Sequence, residues 1–169
     1  DAIIFVDPDV QKVTIPSFIK FIASNAFSYC TKLEVIEFED GSQLKMIGKS
    51  FLGNALVEKI VIPPHTTEIE GNALSFPENL KKIEFDENSE IKSICDFSFS
   101  YSFVEFISIP SSIINLNNCL FETQDLNTIK IIPCKEKNIT YLNDQIVIGK
   151  SDIKSDIFDV LLFAPRNIK

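Results

Sequence analysis

The residues able to do chemistry are few and scattered. The only histidine, His65, sits in the turn Pro63-Pro64-His65-Thr66, where an exposed imidazole is expected to be solvated rather than catalytic. Four cysteines, Cys30, Cys95, Cys119 and Cys134, include no C-x-x-C pair. Their wide spacing differs from the dense framework of a small disulfide-stapled scaffold. They are expected to be buried free thiols, behaving as small hydrophobes. A dyad of His65 with Cys119 or Cys134 would arise only by accident of folding. The sequence holds no Gly-rich phosphate loop, no G-x-S-x-G elbow and no His/Cys cluster at zinc spacing. The expectation is a chain that is not an enzyme, with no cofactor, no metal and no catalytic residue.

The acidic turns Glu39-Asp40 and Asp86-Glu87-Asn88 lack the alternating carboxylates of a calcium loop and read as solubilising turns. Asn138-Ile139-Thr140 is a glycosylation sequon, a triplet common enough by chance to be weak evidence of secretion. The net charge of -8, from 24 acidic and 16 basic residues, argues against a nucleic acid or an anionic membrane surface as the main partner. No apolar run approaches the roughly 18–20 residues of a membrane helix, so no membrane insertion is expected in this segment.

The elements that must position everything else emerge when the chain is laid over itself. Ile15-Pro16, Ile62-Pro63 and Ile109-Pro110 recur at 62 − 15 = 47 and 109 − 62 = 47. Between them lie Ile36-Glu37-Phe38 and Ile83-Glu84-Phe85, again 47 apart, and Ile129-Lys130-Ile131 follows. The unit is thus half of that period, in two alternating flavours, with strand positions 15, 38, 62, 85, 109 and 131. Apolar residues two apart in each, such as Ile60/Ile62 and Ile83/Phe85, are the signature of a half-buried strand. Odd units end their strand on Pro, which has no amide hydrogen to continue a ladder. Even units carry a longer polar turn instead.

After each strand come three apolar slots: a plug (Ile22, Ile47, Ile69, Ile94, Leu116), a large residue (Phe27, Phe51, Leu74, Phe99, Phe121) and a closing residue (Leu33, Val57, Leu80, Val104, Leu126). One coil cannot bury its own apolar side, but a stack of coils makes a continuous core. A column of Phe at one slot is expected to stack ring on ring.

Asn25-Ala26-Phe27-Ser28-Tyr29-Cys30-Thr31-Lys32-Leu33-Glu34-Val35-Ile36 resembles the A-F-x-x-C-x-x-L-x-x-I core of BspA-like leucine-rich repeats. Ile15-Pro16-Ser17-Phe18-Ile19-Lys20-Phe21-Ile22 resembles the I-P-x-x-V-x-x-I half of that family's repeat. The likeness covers about residues 13–134. The Cys slot departs from the pattern in later units, where it holds Asn54, Pro77, Ser102 and Gln124. The resemblance implies a β-rich leucine-rich-repeat solenoid of right-handed stacked coils, with a parallel sheet of about six strands and short 3-10 or helical turns. It also implies an adhesion or interaction module of a larger microbial surface protein, secreted or held at the cell surface, whose partner is another protein of host or self origin. An intracellular scaffold on the same repeats is the alternative.

Outside the repeats, Gln145–Ile148 and Asp159–Phe163 read as a hairpin packed on the end of the stack. Residues 159–169 also resemble residues 1–12 at an offset of 159 − 1 = 158. The chain is therefore divided into 1–12, the tail of a preceding cassette or an N-terminal strand; 13–134, five to six repeats; and 135–169, a hairpin-like segment leading into a next cassette. Ile3-Ile4-Phe5 is expected either to pair with the edge of the first coil or to recruit a neighbouring molecule. The outward strand positions Thr14, Glu37, Val61, Glu84, Ser108 and Lys130 should form one column on the solvent face of the main sheet. That column, flanked by Lys59 and Lys82, is the candidate ligand-binding surface.

Overall fold

A computed structural model describes residues 1–116, 118–120, 123, 125–143 and 145–164. Phe121, Gln124 and the 165–169 part of the repeated end motif lie outside them. In chain order the strands are β1 (Ala2–Ile3), β2 (Lys12–Ile15), β3 (Phe21–Ile22), β4 (Val35–Phe38), β5 (Met46–Ile47), β6 (Lys59–Ile62) and β7 (Glu68–Ile69). They continue with β8 (Lys82–Phe85), β9 (Phe106–Pro110), β10 (Thr128–Ile132), β11 (Ile139–Leu142), β12 (Ile146–Gly149) and β13 (Val160–Phe163).

Each coil contributes one long and one short strand, and like strands stack in parallel. The plug residues carry the short-strand sheet, ordered β1-β3-β5-β7, with Ile3, Ile22, Ile47 and Ile69 in register. Ala2-Ile3 therefore extends the stack by pairing with the first coil; of the three residues expected to form that strand Ile3 alone does so, while Ile4 and Phe5 lie beyond it and are exposed. Turns without helix join the strands among the described residues, in place of the short helical turns expected. The same turn slot takes a left-handed backbone in successive coils, at Asn25, Ser50, Asn72 and Phe97. Asn bears that conformation cheaply, whereas a bulky ring does not. Stacking is close at Gly48, where a Cβ would stand 2.5 Å from the Ser24 nitrogen.

The core is the set of repeated slots. Phe27, Phe51, Phe99 and Leu74 are buried in the large-residue slot. Phe27 and Phe51 meet edge to face, with centroids 5.4 Å apart and planes at 86°, rather than ring on ring. Edge-to-face contact places the positive rim of one ring against the negative face of the other. A fourth buried slot lies three residues before each plug: Ile19, Leu44, Thr66, Ile91 and Ile113. Thr66 is its one polar occupant, and its hydroxyl has no hydrogen-bond partner among the described residues.

The long strands divide into two sheets, β2-β4 and β6-β8-β9-β10, instead of one sheet of about six. The amides of Val35 and Glu39 bond the carbonyls of Gln11 and Ile15. In a parallel ladder the intervening residues Ile36 and Phe38 then turn their polar groups toward β6. On the other side, the amides of Lys82 and Asp86 bond Glu58 and Ile62, so Lys59 and Val61 face β4. A continued ladder would set Pro63 opposite the Phe38 carbonyl, and Pro has no hydrogen to give. The second even-to-odd junction is weakened in the same way. The β8–β9 ladder stops at Ile83↔Ile107 before Pro110, and the Phe85 amide donates to the Ser108 hydroxyl at 3.0 Å.

At the C-terminal end, the expected hairpin is two strands of a three-stranded antiparallel sheet, β11-β12-β13. The additional strand β11 lies next to the last coil. Tyr141 on it donates its hydroxyl hydrogen to the Ile129 carbonyl at 2.6 Å and accepts from the Ile131 amide at 2.8 Å. Those groups belong to the free edge of β10, so one hydroxyl stands in for a neighbouring strand's peptide group. Ile139 and Val147 join the core cluster from this sheet.

Candidate functional site

The structure places most of the outward column on the solvent side. Thr14, Glu37, Val61 and Lys130 are exposed, and Glu84 is half-buried. Thr14 lies beside Glu37, Val61 beside Glu84, and Ser108 beside Lys130. Ser108 departs from the expectation: it is 4% exposed, its hydroxyl engaged by the Phe85 amide where the ladder is broken. The column is thus three neighbouring pairs rather than one continuous ladder.

A groove of about 820 Å³ runs along β4 and β6, lined by Glu37 and Val61 of the column, the flanking Lys59, the acidic-turn residues Glu39, Asp40 and Asp86, and residues the sequence did not single out, among them Val35 and Leu56. Val35, Leu56 and Val61 give it an apolar floor, and they are 37%, 41% and 43% exposed. Its carboxylates are Glu34, Glu37, Glu39, Asp40, Glu58 and Asp86, against a single cation, Lys59. Lys59 is drawn away onto Glu84 of β8, and Lys12 pairs with Glu37 at 3.0 Å. Burial pushes the Glu84 carboxyl up, but hydrogen bonds from Lys59 and Lys82 outweigh it and leave the carboxyl below its ordinary value. Among the described residues, Glu34, Asp40 and Glu58 make no ion pair. The groove is therefore negative and apolar at once, with polar main chain along both lips.

Groups with chemical potential lie elsewhere and act structurally. His65 Nδ1 is 2.8 Å from Glu90 Oε1, and the imidazole contact holds the Glu90 carboxyl below its ordinary value. All four cysteines are free. Burial pushes the Cys119 thiol far up, which makes it a poor nucleophile. Burial also raises Cys30, with the charge of Asp7 adding to it. Cys95 is exposed, contrary to the expected buried thiol, because it follows the plug Ile94 and points away from the core. The sequon asparagine Asn138 is 9% exposed, and its side-chain amide donates to the Ser112 carbonyl at 2.9 Å. A glycan could not be attached there without parting the chain before β11 from Ser111 and Ser112. Among the described residues no cluster of three or more His, Cys, Asp or Glu could hold a metal ion. No helix there is long and apolar enough to cross a membrane.

Sequence reasoning also passed over an aromatic flank. Phe76 and Tyr101 are exposed and stack at 5.2 Å with planes 5° apart. Both take a left-handed backbone, in the turn slot that Gly53 fills one coil earlier. The recurrence of that slot two residues after Phe51, Leu74 and Phe99 was the available signal.

No curated protein matches the sequence. Among solved structures, the pneumococcal vaccine antigen PcpA is similar at 26% identity and a TM-score of 0.72, over 83% of this chain and 34% of that one. A leucine-rich cell surface protein from Faecalibacterium prausnitzii aligns at 20% identity and a TM-score of 0.58, over 84% of this chain and 43% of that one, a likeness of fold. The chain thus spans about a third and well under half of those two proteins. The model of the BspA-type leucine-rich repeat region matches six copies across residues 2–127. That match spans most of the chain, and the stacked coils agree with it: the chain belongs to the BspA-type leucine-rich-repeat family.

Proposed function

We propose that the chain is a non-enzymatic protein-binding module, an adhesion or interaction domain of a larger cell-surface protein, and that it binds through the outward face of its long-strand sheets. The observation that carries this reading is the groove along β4 and β6, where the outward residues Glu37 and Val61 meet exposed apolar surface. Thr14, Glu37, Val61, Glu84 and Lys130 are the contact residues on this reading, while Ser108 supports the sheet from within. The F. prausnitzii protein that shares this fold is a leucine-rich cell surface protein, which supports the location. We take residues 13–134 as the repeats, 1–12 as an end segment and 135–169 as the terminal segment.

A photo-cross-linking amino acid at Val61 or Lys130 of the whole protein in its native cells tests the face. Adducts with a second protein from these positions, and none from Glu68 on the short-strand sheet, are expected. Adducts from Glu68 alone would overturn the assignment. A second reading, an intracellular scaffold, is favoured by the exposed free thiol of Cys95. Surface labelling of intact cells separates the two, because a scaffold would stay unlabelled.

A further inference from the structure

We propose that the groove along β4 and β6 takes a patch of another protein that is apolar at its centre and basic at both ends. The patch lies across the outer face of the sheet and makes contact through side chains alone. This rests on the reading of the long-strand face as a binding surface and names the class of partner.

The first observation is a lapse in the ion pairs that tie this outer face together. Each long strand from β2 to β8 opens on an outward residue and carries a second one two positions later. The first residue of one strand pairs with the third residue of the next: Lys12 with Glu37, and Lys59 with Glu84. Between β4 and β6 the same two positions hold Val35 and Val61, which are 37% and 43% exposed. Two exposed valines thus stand where the adjoining coils set an ion pair. Leu56 joins them in the groove and is also exposed. Single apolar residues scattered over a surface are ordinary, whereas a grouped patch rimmed by polar residues marks a contact site.

The second observation is the charge around that patch. Glu34 and Glu58 immediately precede β4 and β6, and Asp40 and Asp86 lie beyond the far ends of β4 and β8. None of these four carboxylates makes an ion pair among the described residues. The groove's one lysine, Lys59, is held by Glu84, and Lys12 beside it is held by Glu37. An acidic partner would meet uncompensated carboxylates at both ends, whereas a cationic one gains attraction there. Positions 34 and 40 lie up to about 20 Å apart along an extended chain, at roughly 3.3 Å per residue. The partner's cations should stand about as far apart, with apolar side chains between them.

The test uses the whole chain and a dye-labelled peptide of alternating pattern, with a lysine at each end, two leucines between them and serine at the intervening positions. In an extended chain its lysines and leucines share one face, and the lysines lie about 20 Å apart. Binding is read by fluorescence anisotropy at low and physiological salt. Two comparison peptides carry glutamate for lysine and serine for leucine. The lysine–leucine peptide should bind, and each comparison peptide about tenfold or more weakly. The deciding variant is Val35→Lys/Val61→Glu, which restores the ion pair of the adjoining coils without changing net charge. It should keep its circular dichroism and bind about tenfold or more weakly; were it not to fold, the comparison peptides decide. Glu34→Gln/Glu58→Gln should weaken binding chiefly at low salt. Glu78→Gln, at an exposed acid outside the groove, should leave binding unchanged. Undiminished binding by folded Val35→Lys/Val61→Glu, or of the serine-for-leucine peptide, would reduce the contact to charge alone and overturn the proposal. Equal weakening by Glu78→Gln would overturn it as well. If the lysine–leucine peptide does not bind while cross-links from Val61 still capture a protein, the partner class is wrong and the binding face stands. If both fail, the face itself is wrong.

Discussion

Tyr141→Phe removes one oxygen atom and unpairs two main-chain groups. The hydroxyl donates to the Ile129 carbonyl at 2.6 Å and accepts from the Ile131 amide at 2.8 Å. Each intramolecular hydrogen bond contributes about 0.5–1.5 kcal/mol net. Tyr141 is 36% exposed, so water can replace part of what is lost, and the expected cost is about 1–2 kcal/mol. For a chain of this size that corresponds to a fall in thermal midpoint of roughly 2–8 °C. Far-ultraviolet circular dichroism is the assay, because the chain has no Trp and only three Tyr, and the substitution alters its own fluorescence. Hydrogen exchange gives a second, local readout: the Ile131 amide should exchange faster in the variant, while the Ile83 amide, at the centre of the stack, keeps its protection relative to global stability. Tyr141→Ala should cost more, since it also removes ring contact. A stability change below about 0.3 kcal/mol with unchanged exchange at Ile131 would refute the account of the edge as closed by this hydroxyl.

Phe51→Ala should destabilise by about 3–5 kcal/mol in urea denaturation, because the buried ring meets Phe27 edge to face and leaves a cavity between coils; a loss below about 1 kcal/mol would contradict the packing. Thr66→Val should stabilise by about 1 kcal/mol, since it replaces a buried hydroxyl lacking a partner with a methyl group in a slot that elsewhere holds Ile or Leu; a lower thermal midpoint would count against it. In native protein a thiol reagent should modify Cys95 at once but reach Cys30 and Cys119 only on unfolding, as peptide mapping would show. Hydrogen bonds from Lys92 and from His65 hold Glu136 and Glu90 below their ordinary value of 4.5. A lowered folded-state value means stability present above 4.5 and lost as pH falls through the folded value. The thermal midpoint should therefore drop on acidification below that pH, and Glu90→Gln/Glu136→Gln should flatten the drop.

The repeat was legible in the sequence because its cause is local. Each coil must bury the same apolar positions against the next, so Ile22, Ile47, Ile69 and Ile94 recur with their strands, and the register of the stack follows from counting. The buried Phe27, Phe51 and Phe99 and the outward Thr14, Glu37, Val61 and Lys130 follow from the same periodicity. What the tertiary structure decided lies where one coil's chemistry acts on another's. Proline at the end of an odd strand was visible as a strand terminator, but its missing hydrogen matters to the preceding even strand, which is apposed only after folding. That opens the seam at Phe38 and Pro63, and near Pro110 it draws Ser108 inward. Cys95 is exposed because it follows its plug by one residue and turns outward, which apolarity alone could not reveal. The strand carrying Tyr141 has weak apolar alternation of its own, and it is held by the unpaired edge of β10. Periodicity reports which side chains must be buried, but a main-chain donor or acceptor is the same in every residue, so its partner is settled only by the strands that come to lie beside it.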